Sequence, residues 1–430
     1  MKICVIGQGY IGLPTAMLFA KNGCDVVGVD VNDEVVNNLN DGKIHIEEKG
    51  MNEILKEIIN NNYKASLTPE QADVFIITVP TPAKMEDLSC DLSYVHAACL
   101  SIIPVLEKRN TVIVESTIAP MSMDNFIKPI FEEANFKIGE DLFLAHCPER
   151  VLPGKIIYEL INNDRIVGGI TPKCTQKAVE VYKIFVKGEI AKTEAKTAEM
   201  SKCMENTFRD VNIALANELT KICQKINVNA LDVIELANKH PRVNIHSPGP
   251  GVGGHCLAID PYFIYALAPE QAKIIKLARD TNNSMPEFVV DNLKNIIKNE
   301  NIKENNIKEN NIKIAILGIA YKGNTDDIRE SPALKIIKLL ENDGYDLSIY
   351  DPHIENENIK NSYCLKDNLE EAIENANIAL ILSDHNEFKN LDYDLMENLM
   401  ENPVIFDTKN IVKNDPNNKV KIINFGNLSR

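Results

Sequence analysis

The chain lacks several things, and each absence closes a class of function. It has no run of about 18 uninterrupted apolar residues, so nothing in it reads as a membrane span. None of its ten cysteines forms a Cys-x-x-Cys pair and no His/Cys spacing is of the zinc kind. That argues against a disulfide framework or a structural metal, and for a reducing cytoplasm. Positive charge is short: 46 Lys and Arg against 62 Asp and Glu leave a net charge of −16, the wrong sign for a nucleic-acid partner. An anionic small molecule is still admissible, provided that a local cluster of Lys and Arg gathers to meet it. The opening run from Met1 to Gly7 reads as a strand, without the layout of a signal peptide.

At 430 residues the chain is too long for one ordinary domain and suggests two or three. Lys2 to Ile6 is a short apolar run followed by Gly7-Gln8-Gly9-Tyr10-Ile11-Gly12 and then by a helical pattern that ends at Asn22-Gly23. A second strand, Asp25 to Val29, ends in Asp30, 18 residues past Gly12. Strand, glycine turn, helix and acid in that order form a dinucleotide-binding fingerprint. The carboxylate suits the adenosine ribose hydroxyls and repels a 2′-phosphate, so NAD is favoured over NADP. Val74 to Val79 and Thr111 to Glu115 continue the alternation. Thr81 and Thr117, past their carboxyl ends, are cofactor-side candidates, or else helix-capping or turn residues.

Residues 195 to 226 read as one long helix. Met204, Phe208, Val211, Leu215, Leu219 and Ile222 form an apolar stripe on it, with Lys202, Asn206 and Arg209 on a second face. From Ile312 the strand and helix alternation restarts, with strands at Lys313 to Leu317, Leu347 to Tyr350, Ile378 to Leu382 and Val404 to Phe406. This second doubly wound unit has no GxGxxG after its first strand. Lys322 and Arg329 put positive charge there, which suits a phosphate-bearing ligand or is simply surface charge. Asn-Ile-Lys recurs at period five between 301 and 313, which reads as a solvated linker. The expected fold is α/β, with two doubly wound Rossmann-like domains joined by a long central helix and a helical middle domain. The expected boundaries are 1–194, 195–300, a linker at 301–312, and 313–430.

Cys256 stands in Gly253-Gly254-His255-Cys256-Leu257-Ala258-Ile259-Asp260. Two glycines remove side chains that would block a substrate, and they let amides face a developing oxyanion, so the thiol is a candidate nucleophile. Oxidation past an aldehyde needs one, because hydride leaves only once the carbon carries a fourth substituent. The alternative is that Cys256 is one more buried thiol.

Seven dispersed segments carry a resemblance: GQGYIGLP from Gly7, TVPTP from Thr78, ESTIAP from Glu115, CPERVLPG from Cys147, NTFRDVNIALANEL from Asn206, HPRVNIHSPGPGVGGHCLAID from His240 and LGIAYKGNTDDIRESPA from Leu317. In these the chain resembles the UDP-glucose/GDP-mannose dehydrogenase family along nearly its whole length. It is most similar to the branch acting on UDP-N-acetylhexosamines, UDP-N-acetyl-D-mannosamine above all. The resemblance implies a four-electron oxidation of the sugar C6 hydroxyl to a carboxylate, with two NAD and one water. Cys256 falls on the family nucleophile, Asp260 on its acidic partner, Lys202 and Asn206 on active-site positions, and Glu149 on the carboxylate that handles the catalytic water. It also places Gly7, Gly9, Tyr10, Ile11, Gly12, Asp30, Thr81, Thr117 and Arg329 with the cofactor. Arg150, Val151, Arg209, His240, Arg242, Gly253, Tyr321, Lys322 and Lys409 fall with the UDP-sugar, Arg242 reaching into a neighbouring subunit. Many relatives carry Arg at the position of Lys409, so its contact departs from the family pattern. The long helix is the family's usual dimer interface, so a homodimer or larger homo-oligomer is expected. UDP-glucose or UDP-N-acetylglucosamine is the alternative substrate, and a non-catalytic NAD-sensing module the alternative of another class.

Overall fold

The computed structural model describes residues 1–46, 48, 50–59, 61–84, 86–151, 154–300, 302, 312–413 and 419–428. The period-five repeat lies outside them, apart from Ile302 and Ile312, which are buried in an apolar cluster, and Lys313, which begins a strand. The chain divides into two compact units, Met1–Glu205 with Tyr262–Pro269, and Asn206–Pro261 with Glu270–Arg430.

The first unit is built on eight strands: β1 (Lys2–Ile6), β2 (Asp25–Val29), β3 (Tyr63–Ser66), β4 (Val74–Ile77), β5 (Asn110–Val114), β6 (Leu142–His146), β7 (Arg165–Gly169) and β8 (Ile190–Glu194). They lie in the order β3-β2-β1-β4-β5-β6-β7-β8, all parallel except the antiparallel pair β6 and β7. The inner strands are short apolar runs buried on both faces, the pattern of a sheet covered by helices on each side. Two apolar clusters fill those faces, one under the helices Gly12–Lys21, Met51–Ile58 and Pro172–Tyr182, the other under Ser93–Ile102 and Lys128–Glu133.

The second unit carries β9 (Lys313–Leu317), β10 (Asp346–Tyr350), β11 (Ile378–Ile381), β12 (Val404–Asp407) and β13 (Lys421–Asn424), all parallel in the order β10-β9-β11-β12-β13. Between the sheets in sequence stand helices Ala195–Lys225, Ala230–Asn238, Asp260–Leu267, Lys273–Asn283 and Met285–Asn299. The architecture is therefore α/β, with two doubly wound sheets and a helical middle region.

The 31-residue helix Ala195–Lys225 is amphipathic in an unusual sense. Met204, Phe208, Leu215 and Ile222 of its apolar stripe are exposed in the chain, while Asn206, Asp210, Asn217 and Thr220 are buried. Partners explain the buried polar face. Arg279 Nη1 donates to Asp210 Oδ1 at 2.6 Å, Asn282 Nδ2 donates to the same oxygen at 2.8 Å, and Asn217 Nδ2 donates to Asn282 Oδ1 at 2.9 Å. These bonds offset much of the penalty of buried polarity, although Asp210 Oδ2 has no hydrogen-bond partner among the described residues. Among the described residues no helix is long and apolar enough to cross a membrane.

Candidate active site

In the first unit the glycine turn joins β1 to helix Gly12–Lys21. Its three glycines are needed for different reasons. Gly7 has φ +91°, and a Cβ there would stand 2.8 Å from Thr78 O. A Cβ on Gly12 would lie 1.9 Å from Gly7 O, so only glycine lets helix and strand approach this closely. At Gly9 a Cβ would meet nothing within 4 Å, and the space in front of that backbone is open to a ligand. No side chain caps the helix that follows, which leaves its N-terminal amides to an anion.

Asp30, at the carboxyl end of β2, accepts from Gln8 N at 2.9 Å and from Asn32 N at 3.0 Å, fixing its carboxylate beside the turn. Thr81 Oγ1 donates to Thr117 O at 2.5 Å, so the two threonines past β4 and β5 meet. Thr78, which the sequence reading passed over, donates from Oγ1 to both Ile6 O (2.8 Å) and Gly7 O (2.9 Å) and braces the turn. Tyr10 is exposed and Ile11 half-buried. An open glycine backbone, an uncapped helix and a carboxylate at the ribose position fit a dinucleotide.

Past β6 lies Glu149. Its Oε1 accepts from Arg150 N at 2.6 Å and its Oε2 stands 2.8 Å from Arg165 Nη2, close but not aligned as a hydrogen bond. Arg150 grips Glu205, with Nη2 2.5 Å from Oε1 and Nε 3.1 Å from Oε2, and Val151 packs partly against the core. Lys202 is half-buried on the long helix, one turn before Asn206.

In the second unit Asn206 and Asp260 come together. Asn206 Nδ2 donates to Asp260 Oδ2 at 2.6 Å, with both residues buried. Cys256 O accepts from Asp260 N at 2.8 Å and from Ile259 N at 3.1 Å, so thiol and acid sit on successive turns of one backbone segment. Of the ten cysteines, none in a disulfide, eight are buried; Cys256 is half-buried and Cys364 exposed. Cys256 thus stands apart from the packed thiols.

The glycines before it do something other than expected. A Cβ on Gly253 would stand 2.7 Å from both Tyr321 Cβ and Glu330 O, and one on Gly254 (φ +79°) 2.9 Å from Tyr321 Cε2. Gly254 N donates to Arg329 O at 2.9 Å. The room they make is filled by Tyr321, and the Gly254 amide is spent on the loop after β9 instead of facing an oxyanion.

Burial raises the Tyr321 phenol pKa, and its hydroxyl feels the charges of Asp327, Cys256, Arg329 and Arg209. Arg329 is held in a fork by Asp327, at 2.9 Å and 2.6 Å. Lys409, past β12, lies 3.4 Å from Asp384, whose Oδ1 also accepts from Gly323 N at 3.0 Å, so Lys409 and the exposed Lys322 belong to adjoining loops. His240 and Arg242 are exposed, with Arg242 N donating to His240 Nδ1 at 3.3 Å. Asn212 and Asn217 of the long helix hold the following segment through Asn244 O, His246 N and Gly249 N.

The second sheet repeats the first with one change. Gly318 takes the place of Gly7 (φ +89°), and Asp351 that of Asp30, accepting from Ile319 N at 2.7 Å and His353 N at 3.0 Å. Asp351 is buried and also paired to His385 Nε2 at 3.1 Å, so its oxygens are consumed within the protein.

Residues 1–186 match the NAD binding domain of the UDP-glucose/GDP-mannose dehydrogenase family, 196–284 its central domain, and 315–414 its UDP binding domain. The chain belongs to this family. It is 47% identical over 420 residues to a UDP-N-acetyl-D-mannosamine dehydrogenase of Methanocaldococcus jannaschii, covering 96% of this chain and 93% of that one. Among solved structures, the UDP-N-acetyl-mannosamine dehydrogenase of Staphylococcus aureus superposes with a TM-score of 0.90 at 53% identity, over 100% of this chain and 99% of that one. The dehydrogenase of Pyrococcus horikoshii for UDP-D-ManNAc gives 0.92 at 41%, over 100% of both.

Proposed function

We propose that this enzyme oxidises the C6 hydroxyl of UDP-N-acetyl-D-mannosamine to the carboxylate of UDP-N-acetyl-D-mannosaminuronate. The observation that carries the reading is the half-buried Cys256 thiol, one backbone turn from an Asp260 carboxylate clamped by Asn206. Gly7, Gly9, Tyr10, Ile11, Gly12, Asp30, Thr81, Thr117 and Arg329 would hold NAD, which would supply a hydride acceptor for each of two oxidations at C6. The chain's own residues do the rest. Lys202 with Asp260, through a shared water, takes the hydroxyl proton in the first oxidation, help worth roughly 10² to 10⁴ in rate. Cys256 sulfur then bonds to the aldehyde carbon, giving a thiohemiacetal and, after the second oxidation, a thioester. Glu149 accepts a proton from the water that attacks it, the carbon–sulfur bond breaks, and the thiolate returns. Lys202 as an ammonium also suits the oxyanion.

Tyr321, Lys322 and Lys409 hold the UDP portion, and Arg150, Val151, Arg209, His240, Arg242 and Gly253 the sugar and diphosphate. They supply the local cations that an acidic chain requires. The exposed apolar stripe of the long helix supports a homodimer formed along it, because a patch of this kind marks an interface. The proposed location is the cytoplasm, where nucleotide sugars and thiols of this kind meet. Incubation with NAD and each of UDP-ManNAc, UDP-GlcNAc and UDP-glucose tests the substrate: two NADH per sugar from UDP-ManNAc alone supports it, and turnover of UDP-glucose alone defeats it.

A further inference from the structure

Behind Glu149 lies a buried group of charges with no part in the mechanism so far. Arg165, at the start of β7 and 3% exposed, stands between two carboxylates. Its Nη2 lies 2.8 Å from Glu149 Oε2, and its Nη1 donates to Glu115 Oε1 at 3.2 Å. The guanidinium is 4.7 Å from the ring centre of Tyr182 and 5.7 Å from that of Phe185. Tyr182 OH donates to the same Glu115 oxygen at 2.7 Å, and Thr15 Oγ1 to the other at 3.3 Å.

We propose that Arg165 is a positioning residue for thioester hydrolysis, fixing the Glu149 carboxylate from a guanidinium that it shares with Glu115. The inference rests on the assignment of Glu149 to the catalytic water. Both Glu149 oxygens are located, one by Arg150 N and the other by Arg165, so the side chain loses its rotamer freedom before substrate arrives. Because Arg165 Nη2 is near Oε2 without being aligned as a hydrogen bond, the attraction is electrostatic, and the buried Oε2 keeps its lone pairs unused by hydrogen bonds within the protein. In the step itself the water oxygen bonds to the acyl carbon, one proton passes to Glu149, and sulfur leaves as thiolate; no electrons change hands.

Sharing makes Glu149 sensitive to its neighbour. One guanidinium serves two carboxylates, so an ionised Glu115 draws part of the cation's charge away from Glu149. A protonated Glu115 leaves Glu149 the whole cation, which opposes a proton arriving there from the water. The titratable groups packed against Glu115 are Arg165, Glu149, Tyr182 and Cys147. Burial lifts the Cys147 thiol to about 12 and the Tyr182 phenol well above its usual range, so both stay neutral near pH 7. Burial also pushes Glu115 up to about 7, so this carboxyl changes charge in the working range.

Intact-mass analysis of full-length protein mixed with UDP-N-acetyl-D-mannosamine and excess NAD tests this. Glu149→Gln and Arg165→Lys should both accumulate an acyl adduct on Cys256, with steady-state turnover reduced roughly 10²-fold, the cost of an ångström-scale misplacement. A purely structural defect would lower the first NADH burst as well; here the burst is retained. Accumulation in Glu149→Gln with none in a folded, active Arg165→Lys overturns the role of Arg165 and leaves the covalent scheme standing. No adduct in either removes the Glu149 assignment and this inference with it. Should Arg165→Lys not fold, the near-isosteric Glu115→Gln takes its place: adduct should build up above about pH 7, where the wild type has none, and a variant free of adduct there overturns the proposal.

Discussion

Asn206 Nδ2 donates to Asp260 Oδ2 at 2.6 Å across 54 residues of sequence, and this bond orients the carboxylate one turn from Cys256. Asn206→Ala removes that donor from a buried acid. The expected cost is about 1–3 kcal/mol of stability and roughly 10²-fold in kcat. Urea unfolding and steady-state assays check both. Unchanged kcat would show that the bond only serves packing.

Two glycines of one turn should fail in opposite ways. Gly9→Ala meets nothing within 4 Å, so the chain should fold with its melting temperature nearly unchanged and lose NAD affinity. Gly12→Ala sets a methyl 1.9 Å from Gly7 O and should destabilise the first unit itself, because backbone cannot yield as a flexible side chain can. Thermal melts with and without NAD separate the two. Equal loss of stability in both variants would contradict the open space in front of Gly9.

Glu115 makes stability depend on pH with a definite sign. Its folded value, about 7, lies above the ordinary 4.5, so between these the folded chain keeps a proton that the unfolded chain has lost. Its contribution to stability is therefore full below about pH 4.5 and disappears as pH rises through 7. Compared with Glu115→Gln, the wild type should lose ground in melting temperature from about pH 5 to pH 8. A difference that stays constant over that range would mean that the buried pair with Arg165 keeps Glu115 ionised throughout.

Phe208 is 59% exposed on the long helix, in line with Leu215 and Ile222. If this stripe covers a second copy, Phe208→Glu should shift the assembly to monomer in analytical ultracentrifugation. A mass unchanged from that of the wild type would remove the stripe from the interface.

Much of the fold was legible in the sequence, for physical reasons. Apolar runs such as Val74 to Ile77 and Lys313 to Leu317 are buried on both faces and announce themselves, and the glycine turn has few other uses. The lesser strands β3, β6, β7, β8 and β13 went unmarked. Several are short or carry exposed residues, as Ile190–Glu194 does. The period of the long helix was legible, but which stripe is buried was not. That depends on Arg279 and Asn282, about 70 residues away, which turn a polar face into an interior one.

At the site, Cys256 stood out by its glycines, though for a mistaken reason, since Tyr321 occupies the space they leave. Glu115, Arg165 and Tyr182 were invisible as a group. Each lies in an ordinary strand or helix pattern, and only folding brings Arg165 to a glutamate 50 residues earlier. An isolated Arg before a run of apolar residues carries no such signal. A buried Arg among strand residues demands a partner, however, and that demand could have prompted a search for one.

The covalent step is the center of the account, and Cys256→Ala tests it most directly. With UDP-N-acetyl-D-mannosamine and NAD, the variant should retain NAD binding by calorimetry and form no uronate. Undiminished uronate, with two NADH per sugar, would contradict the account.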